Sequence, residues 1–151
     1  MNINPVEEND LLSQPPAYKL NKENAAFIAA FIGGPLGGGY LIAENFKLLG
    51  QPEKVKITWL ITIGATILIF GGVLYIPALE KIPRLIIPLA YSYATLVLTK
   101  TYQGQDIKTH AATGGVYYSM WRAALVGLIG LVVVAAAMVA LLATGLVPVR
   151  E

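Results

Sequence analysis

Four long runs of apolar residues, separated by short polar stretches, dominate the chain. Each run has roughly 20 residues or more, which is enough for an α-helix to cross a hydrocarbon core of about 30 Å. The pattern predicts an all-α integral membrane protein with four transmembrane helices, at residues 24–49, 52–76, 83–102 and 116–147. Residues 1–23 form an acidic, proline-containing tail that we expect to be mobile, and residues 148–151 form a short C-terminal tail.

The first predicted helix carries a concentration of glycine around a single proline. Glycines four residues apart let another helix backbone approach closely inside a bilayer. Pro35 removes a backbone donor and should kink the helix by freeing the carbonyl of Phe31. We therefore predict a helix-packing groove made of Gly33, Gly34, Pro35, Gly37, Gly38 and Gly39.

The link between the first two predicted helices is very short. Gly50 occupies a position where a helix end favours a left-handed residue, and Pro52 suits the first position of the next helix. The two helices should form a tight antiparallel hairpin, with the second filling part of the glycine groove. Pro83 should likewise begin the third helix, and Pro88 should bend it.

Residues 103–115 are the one long polar interruption within the membrane portion. Asp106 is a suitable cap for a short helix lying on the membrane surface, and Gly114 and Gly115 would connect that element flexibly to the fourth span. We therefore predict a short interfacial helix before the last transmembrane helix.

Hydroxyl side chains repeat along one face of the second helix and one face of the third. They either line a polar pathway or bond to carbonyls of their own helix. Glu44 is the acidic residue set furthest into an apolar run, and it is either paired with Lys47 one turn away or a proton or cation site. The residues of this possible polar pathway are Glu44, Thr58, Thr62, Thr66, Ser92, Thr95 and Thr99.

Aromatic residues fall at the predicted helix ends on the side of the two polar loops, as an interfacial belt requires. The interfacial set is Trp59, Tyr102, His110, Tyr117, Tyr118 and Trp121. Four spans place both termini on one side, and a narrow excess of basic residues in the loops favours termini outside the cytoplasm. Short loops and the absence of cysteine suit a bacterial inner membrane.

Composition excludes several kinds of chemistry. The chain has no cysteine and one histidine, so a zinc site of the usual nitrogen and sulfur type is not available to a single chain. No Ser/His/Asp set can be argued from the sequence, and a net charge of +2 is too small to indicate a nucleic-acid surface. We expect no cofactor, no metal and no enzymatic activity.

Two functions stay open from the sequence. The first is a structural or interaction protein, such as an accessory, assembly or immunity-like factor that binds a membrane-protein partner, or itself, within the lipid bilayer. The alternative is a small homo-oligomeric channel or transporter that uses the kinked first helix and the hydroxyl-lined second and third helices.

Overall fold

A computed structural model describes residues 15–145, apart from the side chain of Glu80. The elements in chain order are strand β1 (Lys19–Leu20), helices α1 (Glu23–Leu48) and α2 (Pro52–Tyr75), a 3-10 helix (Pro77–Lys81), helix α3 (Ile86–Ala112), strand β2 (Val116–Tyr117) and helix α4 (Met120–Ala143). The all-α class and the four helices are as predicted. Residues 1–14 of the predicted mobile tail and the whole C-terminal tail lie outside the described residues.

Helix α1 is a hairpin of two half-helices, residues 23–33 and 35–48, joined at Gly34. The backbone N–H of Asn21, just before the first half-helix, donates over 2.8 Å to Oδ1 of Asn45, near the end of the second. Along a straight helix the 24 residues between these positions would span about 36 Å. Both ends of α1 therefore lie on the same side of the molecule, and α1 does not form the first of the four predicted crossings.

Glycine and proline together cause this reversal. Gly34 has φ 70° and ψ −171°, a conformation that residues with a side chain rarely adopt. Pro35 cannot donate to the preceding turn, so the helical hydrogen-bond pattern stops there. The sequence predicted a kink at Pro35. The structure confirms a break at that point, and the change of direction is a full reversal because Gly34 leaves the helical region altogether.

Small residues allow the two half-helices to touch. A Cβ atom at Gly38 would lie 2.9 Å from Cβ of Ala30 and 3.1 Å from the carbonyl oxygen of Ala26. A Cβ atom at Gly37 would collide with the carbonyl oxygen of Ala29. Side chains at these positions would separate the half-helices, so glycine and alanine are needed on both.

Helix α1 is also the centre of the fold. Helices α2, α3 and α4 each pack along it, and within residues 15–145 they have at most marginal contact with one another. The buried apolar cluster consists of alanines from the first half-helix, one leucine from the second and one alanine from α4: Ala25, Ala29, Leu41 and Ala123. The α1 hairpin therefore forms the core of the fold.

The described helices differ in how well they suit a membrane. Three of them, α1, α2 and α4, are long and apolar enough to cross one by length and composition. Because α1 doubles back, its first half-helix of 11 residues reaches only about 16 Å. Helix α3 has 27 residues, about 40 Å, and runs antiparallel to α2, although its second half is more polar.

The predicted interfacial helix within 103–115 is not a separate element. Helix α3 continues without a break to Ala112, and the turn comes at Gly114, which has φ 78°. Gln103, Ile107 and His110 are buried within the fold, so polar side chains in this part of α3 face the protein and do not end the helix.

Two proline predictions also need correction. Helix α3 begins at Ile86, three residues after Pro83. Pro88 is then in the first turn, where backbone N–H groups have no helical acceptor, so it removes no hydrogen bond and has no reason to bend the helix.

The fourth helix begins later than predicted. Residues 116 and 117 form β2, which pairs in parallel with β1 so that Lys19 lies opposite Val116, and Ser119 is extended. Ser119 then caps α4, because its hydroxyl accepts a hydrogen bond from the backbone N–H of Trp121 over 3.3 Å. Leu20 and Asn21 are also buried in the fold. The prediction of a mobile tail is therefore wrong for these residues.

Candidate functional site

Five polar side chains meet where the two ends of the α1 hairpin come together, and we call them the mouth cluster: Asn21, Glu44, Asn45, Gln103 and Arg122. Arg122 on α4 binds Glu44 with both arms of its guanidinium, over 2.8 Å to Oε2 and 2.6 Å to Oε1. Nδ2 of Asn21 donates to the same carboxylate over 2.8 Å. This paired geometry is the strong form of an ion pair. Glu44 therefore pairs with Arg122, and Lys47, the partner considered from the sequence, makes no such contact.

A chain of amides continues from this ion pair into the fold. Nδ2 of Asn45 donates to the carbonyl of Asn21 over 2.9 Å and to Oε1 of Gln103 over 3.0 Å. Nε2 of Gln103 donates to the carbonyl of Ile42 over 2.8 Å. The three amide side chains are buried and mutually satisfied, which makes such networks rigid. The mouth cluster thus ties the N-terminal segment, both ends of α1, α3 and α4 together.

An aromatic group packs beside the mouth cluster. The ring of His110 is 3% exposed, stacks on Tyr18 with 5.1 Å between centroids, and meets Tyr117 edge-on at 5.5 Å. Nε2 of His110 lies 3.0 Å from the carbonyl of Val116, which can only accept, so this nitrogen carries the proton. No described residue bonds to Nδ1. His110 is therefore a packing residue of the strand pair, and not a surface residue.

The hydroxyl of Tyr117 donates to the carbonyl of Ile107 over 2.7 Å. Burial of this residue, assisted by the negative charge of Glu23, raises the pKa of Tyr117 above its ordinary value. The hydroxyl accordingly remains a donor at neutral pH, and it fastens β2 to α3.

The other predicted interfacial aromatics have different surroundings. The guanidinium of Arg122 lies 3.9 Å above the ring of Tyr118, a cation–π contact that belongs to the mouth cluster. Trp121 is 81% exposed and Tyr102 is 61% exposed, so both rings are at the molecular surface. Trp59 meets the ring of Tyr40 edge-on at 6.4 Å.

The predicted glycine groove is divided among the three outer helices. A Cβ atom on Gly33 or Gly37 would approach the backbone of Gly127 on α4. Helices α2 and α3 take the other positions: Gly34 faces Phe70, Gly38 faces Thr95 and Gly39 faces Thr62. The second helix was expected to fill part of this surface. It does so at two glycines, while α3 and α4 cover the remainder.

A lateral groove of about 520 Å³ separates α2 from α3. Residues of the second α1 half-helix form its floor, and its lining is mostly apolar. Lys54 and Tyr102 lie at the end near the mouth cluster, and Ile69 and Tyr91 lie at the far end. We call it the α2–α3 groove.

The hydroxyl residues of the possible pathway do not form one continuous line. Thr58, Thr62 and Thr95 line the α2–α3 groove, whereas Glu44 belongs to the mouth cluster. Most of the hydroxyls bond the carbonyl four residues earlier in their own helix, at 2.7–2.8 Å, in Thr58, Thr66, Thr95 and Thr99. Ser92 is fully buried, and its hydroxyl has no hydrogen-bond partner among the described residues.

Most of the mouth cluster could not be predicted from the sequence. Its four members other than Glu44 are polar residues near predicted helix ends, with no motif around them: Asn21, Asn45, Gln103 and Arg122. One feature of the sequence points to the arrangement: the alanines at 25, 26, 29 and 30 give the first half-helix a small-residue surface matching the glycines after Pro35. Two complementary small surfaces on either side of a Gly-Pro pair are what a doubled-back helix requires.

Comparisons with protein-family models, with curated proteins and with solved structures found no match to this chain.

Proposed function

We propose that the chain is a multi-pass membrane protein that acts by binding another membrane component, without catalysis and without conducting ions. The observation that carries the proposal is the α2–α3 groove. Consecutive helices joined by a short link normally pack against each other. Here α2 and α3 stay apart over much of their length, and the space between them is apolar and opens to the side.

The contrast with the mouth cluster supports this proposal. The mouth cluster is polar, but its charges are paired and its amides are bonded to one another. It accounts for stability and leaves no free group for chemistry. The groove has no such internal partner, and volumes of about 300–1,000 Å³ are typical of sites that hold one ligand.

We further propose that α2, α3 and α4 cross the bilayer and that α1 is re-entrant. The first half-helix of α1 reaches about 16 Å, roughly half of a 30 Å hydrocarbon core. Irregular backbone at such depth is tolerated where protein surrounds it. Gly33, Gly34 and Pro35 are all buried, which fits that requirement.

A re-entrant α1 changes the expected orientation. Eight basic residues then lie toward the mouth-cluster end, and among the described residues two lie toward the other end: Lys19, Lys22, Lys47, Lys54, Lys56, Lys100, Lys108 and Arg122 against Lys81 and Arg84. The positive-inside rule favours a cytoplasmic mouth cluster. We therefore propose that the N-terminal segment is cytoplasmic and that α4 ends outside, in place of two external termini. A bacterial inner membrane remains the proposed location.

Site-specific photo-crosslinking tests the binding function. A diazirine analogue of leucine, which adds little bulk, would replace Leu98, which lines the groove, and in a matched variant Leu128, which is exposed on α4. We expect a discrete adduct at Leu98 and diffuse labelling at Leu128, with mass spectrometry distinguishing lipid from protein adducts. Identical labelling at the two positions would argue against the groove as a binding site.

The second candidate is the homo-oligomeric channel, which is favoured by one observation: hydroxyl residues of α2 and α3 share the groove. Two of them, Thr58 and Thr95, use their hydroxyls on their own helices, which reduces what they offer an ion. Potassium and proton flux in liposomes that contain only this protein decides between the candidates. Flux above that of empty liposomes would support the channel, and its absence together with a Leu98 adduct would support the binding protein.

A further inference from the structure

We propose that the α2–α3 groove holds one acyl chain of an anionic phospholipid whose headgroup phosphate binds Lys54. This inference rests on the proposed binding function and names the component that is bound. It follows from the size of the groove, from the charge at one end, and from the position of that end along the helices.

The size of the groove suits a chain narrower than a helix. Between Lys54 and Ile69 the groove extends over 15 residues of α2, about 22 Å. A helix of 10–12 Å diameter occupies roughly 1,700–2,500 Å³ over that length, well above the roughly 520 Å³ of the groove. A helix could therefore enter only in part from the open side, whereas a single narrow chain fits within the groove.

The charge at one end of the groove indicates an anionic headgroup. Lys54 is exposed, and no carboxylate of the described residues lies within salt-bridge distance of it. The neighbouring carboxylate of Glu53 is 3.1 Å from Nζ of Lys56 and is therefore engaged. The ammonium group of Lys54 lies 5.3 Å from the ring centre of Phe46, which orients it at the groove entrance. Tyr102 adds a hydroxyl at the same entrance.

The position of the groove matches one leaflet. Its charged end is the mouth-cluster end, and its apolar part passes Ala65 and Ala94 toward Ile69 and Tyr91. One leaflet of a 30 Å core is about 15 Å deep, so a chain starting at Lys54 would remain mostly within that leaflet. The cytoplasmic leaflet carries the anionic lipids that attract basic residues near the membrane surface.

Native mass spectrometry tests this assignment. The intact protein would be equilibrated with an equimolar mixture of phosphatidylglycerol and phosphatidylcholine and released from detergent. We expect one retained lipid, with phosphatidylglycerol preferred at least about fivefold.

Lys54→Gln should reduce that preference below about twofold. Lys108→Gln, which removes an equal charge from an exposed position outside the groove lining, should leave it unchanged. Ala94→Trp should abolish retention by filling the groove. Thermal unfolding of each variant establishes that it is folded.

Each contrary result has a distinct meaning. Equal effects of Lys54→Gln and Lys108→Gln would show attraction to general surface charge and overturn the assignment of Lys54. Undiminished lipid retention in Ala94→Trp would place the lipid elsewhere and overturn the proposal. A protein adduct at Leu98 with no retained lipid would overturn the lipid assignment and leave the binding function standing. Neither an adduct nor a retained lipid would overturn both.

Discussion

The face of α1 that meets α4 and the face that meets α2 and α3 use the same small residues but differ in what lies against them. Toward α4, the glycines meet Gly127 and Gly130, and the contact ends in the ion pair of Glu44 with Arg122. Toward α2 and α3, the glycines meet single threonine and phenylalanine side chains, and an apolar space remains between the two helices.

This difference shows how a small membrane protein can separate stability from binding. The α4 face brings backbones together and pairs its charges, so it holds the hairpin closed. The opposite face keeps one cation, Lys54, without a carboxylate partner beside an open apolar groove. Substitutions on the two faces should therefore differ in their effects as much as the contacts of the two faces do.

The largest effect is expected at the contact between α1 and α4. A Cβ atom at Gly127 would lie 2.9 Å from Cβ of Ile32 and 3.0 Å from the carbonyl oxygen of Ala29. Gly127→Leu should therefore lower the free energy of unfolding by about 3 kcal/mol, because rigid backbone must move.

Gly64→Leu is the matched control, since nothing lies within 4 Å of a Cβ there. It should stabilise α2 by about 0.5–1 kcal/mol. Thermal or denaturant unfolding in detergent measures both, and equal effects would contradict the packing.

The next largest effect is expected at the ion pair of the mouth cluster. Arg122→Met leaves the Glu44 carboxylate and Oδ1 of Asn21 without their cation. Partial exposure of the pair, 30% and 19%, moderates the loss to about 2–3 kcal/mol. Lys56→Met breaks an ion pair whose side chains are 74% and 80% exposed and should change stability by less than about 0.5 kcal/mol. If Arg122→Met were as mild as Lys56→Met, the mouth cluster would not be a structural centre.

A larger side chain should be tolerated in the α2–α3 groove but should destabilise the protein where α1 meets α4. Ala94→Phe places a ring in the groove and should change the free energy of unfolding by no more than about 0.5 kcal/mol in lipid-free detergent. The same substitution at Ala29, which is fully buried between α1 and α4, should destabilise by about 2 kcal/mol or more. Comparable losses at the two alanines, measured by chemical denaturation, would mean that the groove closes in solution.

The smallest effect is expected from substituting the threonines whose hydroxyls repeat along one face of α2 and of α3. Thr99→Val removes a hydroxyl that bonds the carbonyl of Thr95 over 2.8 Å within the same helix. Such bonds contribute little, so stability should change by less than about 0.5 kcal/mol. A loss above about 1.5 kcal/mol would indicate that the hydroxyl has a partner outside its own helix, as a polar pathway requires.

The sequence predicted elements well where local chemistry determines them. Gly50, with φ 69°, and Pro52 end one helix and start the next as expected. Apolar runs also identified the four helices. The sequence did not predict that α1 reverses direction, because Gly34 and Pro35 are compatible with a kink of any size. The angle depends on whether the alanines before them and the glycines after them pack together, which is a tertiary matter.

The mouth cluster could not be predicted from the sequence for the same reason. Asn21 and Asn45 are 24 residues apart, and nothing in their local sequence indicates that they touch. Once α1 doubles back, the two asparagines become neighbours and the carboxylate of Glu44 comes within reach of Arg122. The polar segment 103–115 was likewise predicted to be interfacial, because the residues that bury Gln103 and His110 lie on other elements.

The measurement that tests the account most directly is the distance between the two ends of α1. The chain has no cysteine, so Lys22→Cys and Lys47→Cys, both at exposed positions, can carry spin labels without background labelling. Pulsed electron paramagnetic resonance in lipid nanodiscs gives the separation. A doubled-back α1 predicts a distribution centred below about 20 Å. A distribution near 38 Å, the length of 25 residues of continuous helix, would contradict the hairpin and the orientation and binding proposals built on it.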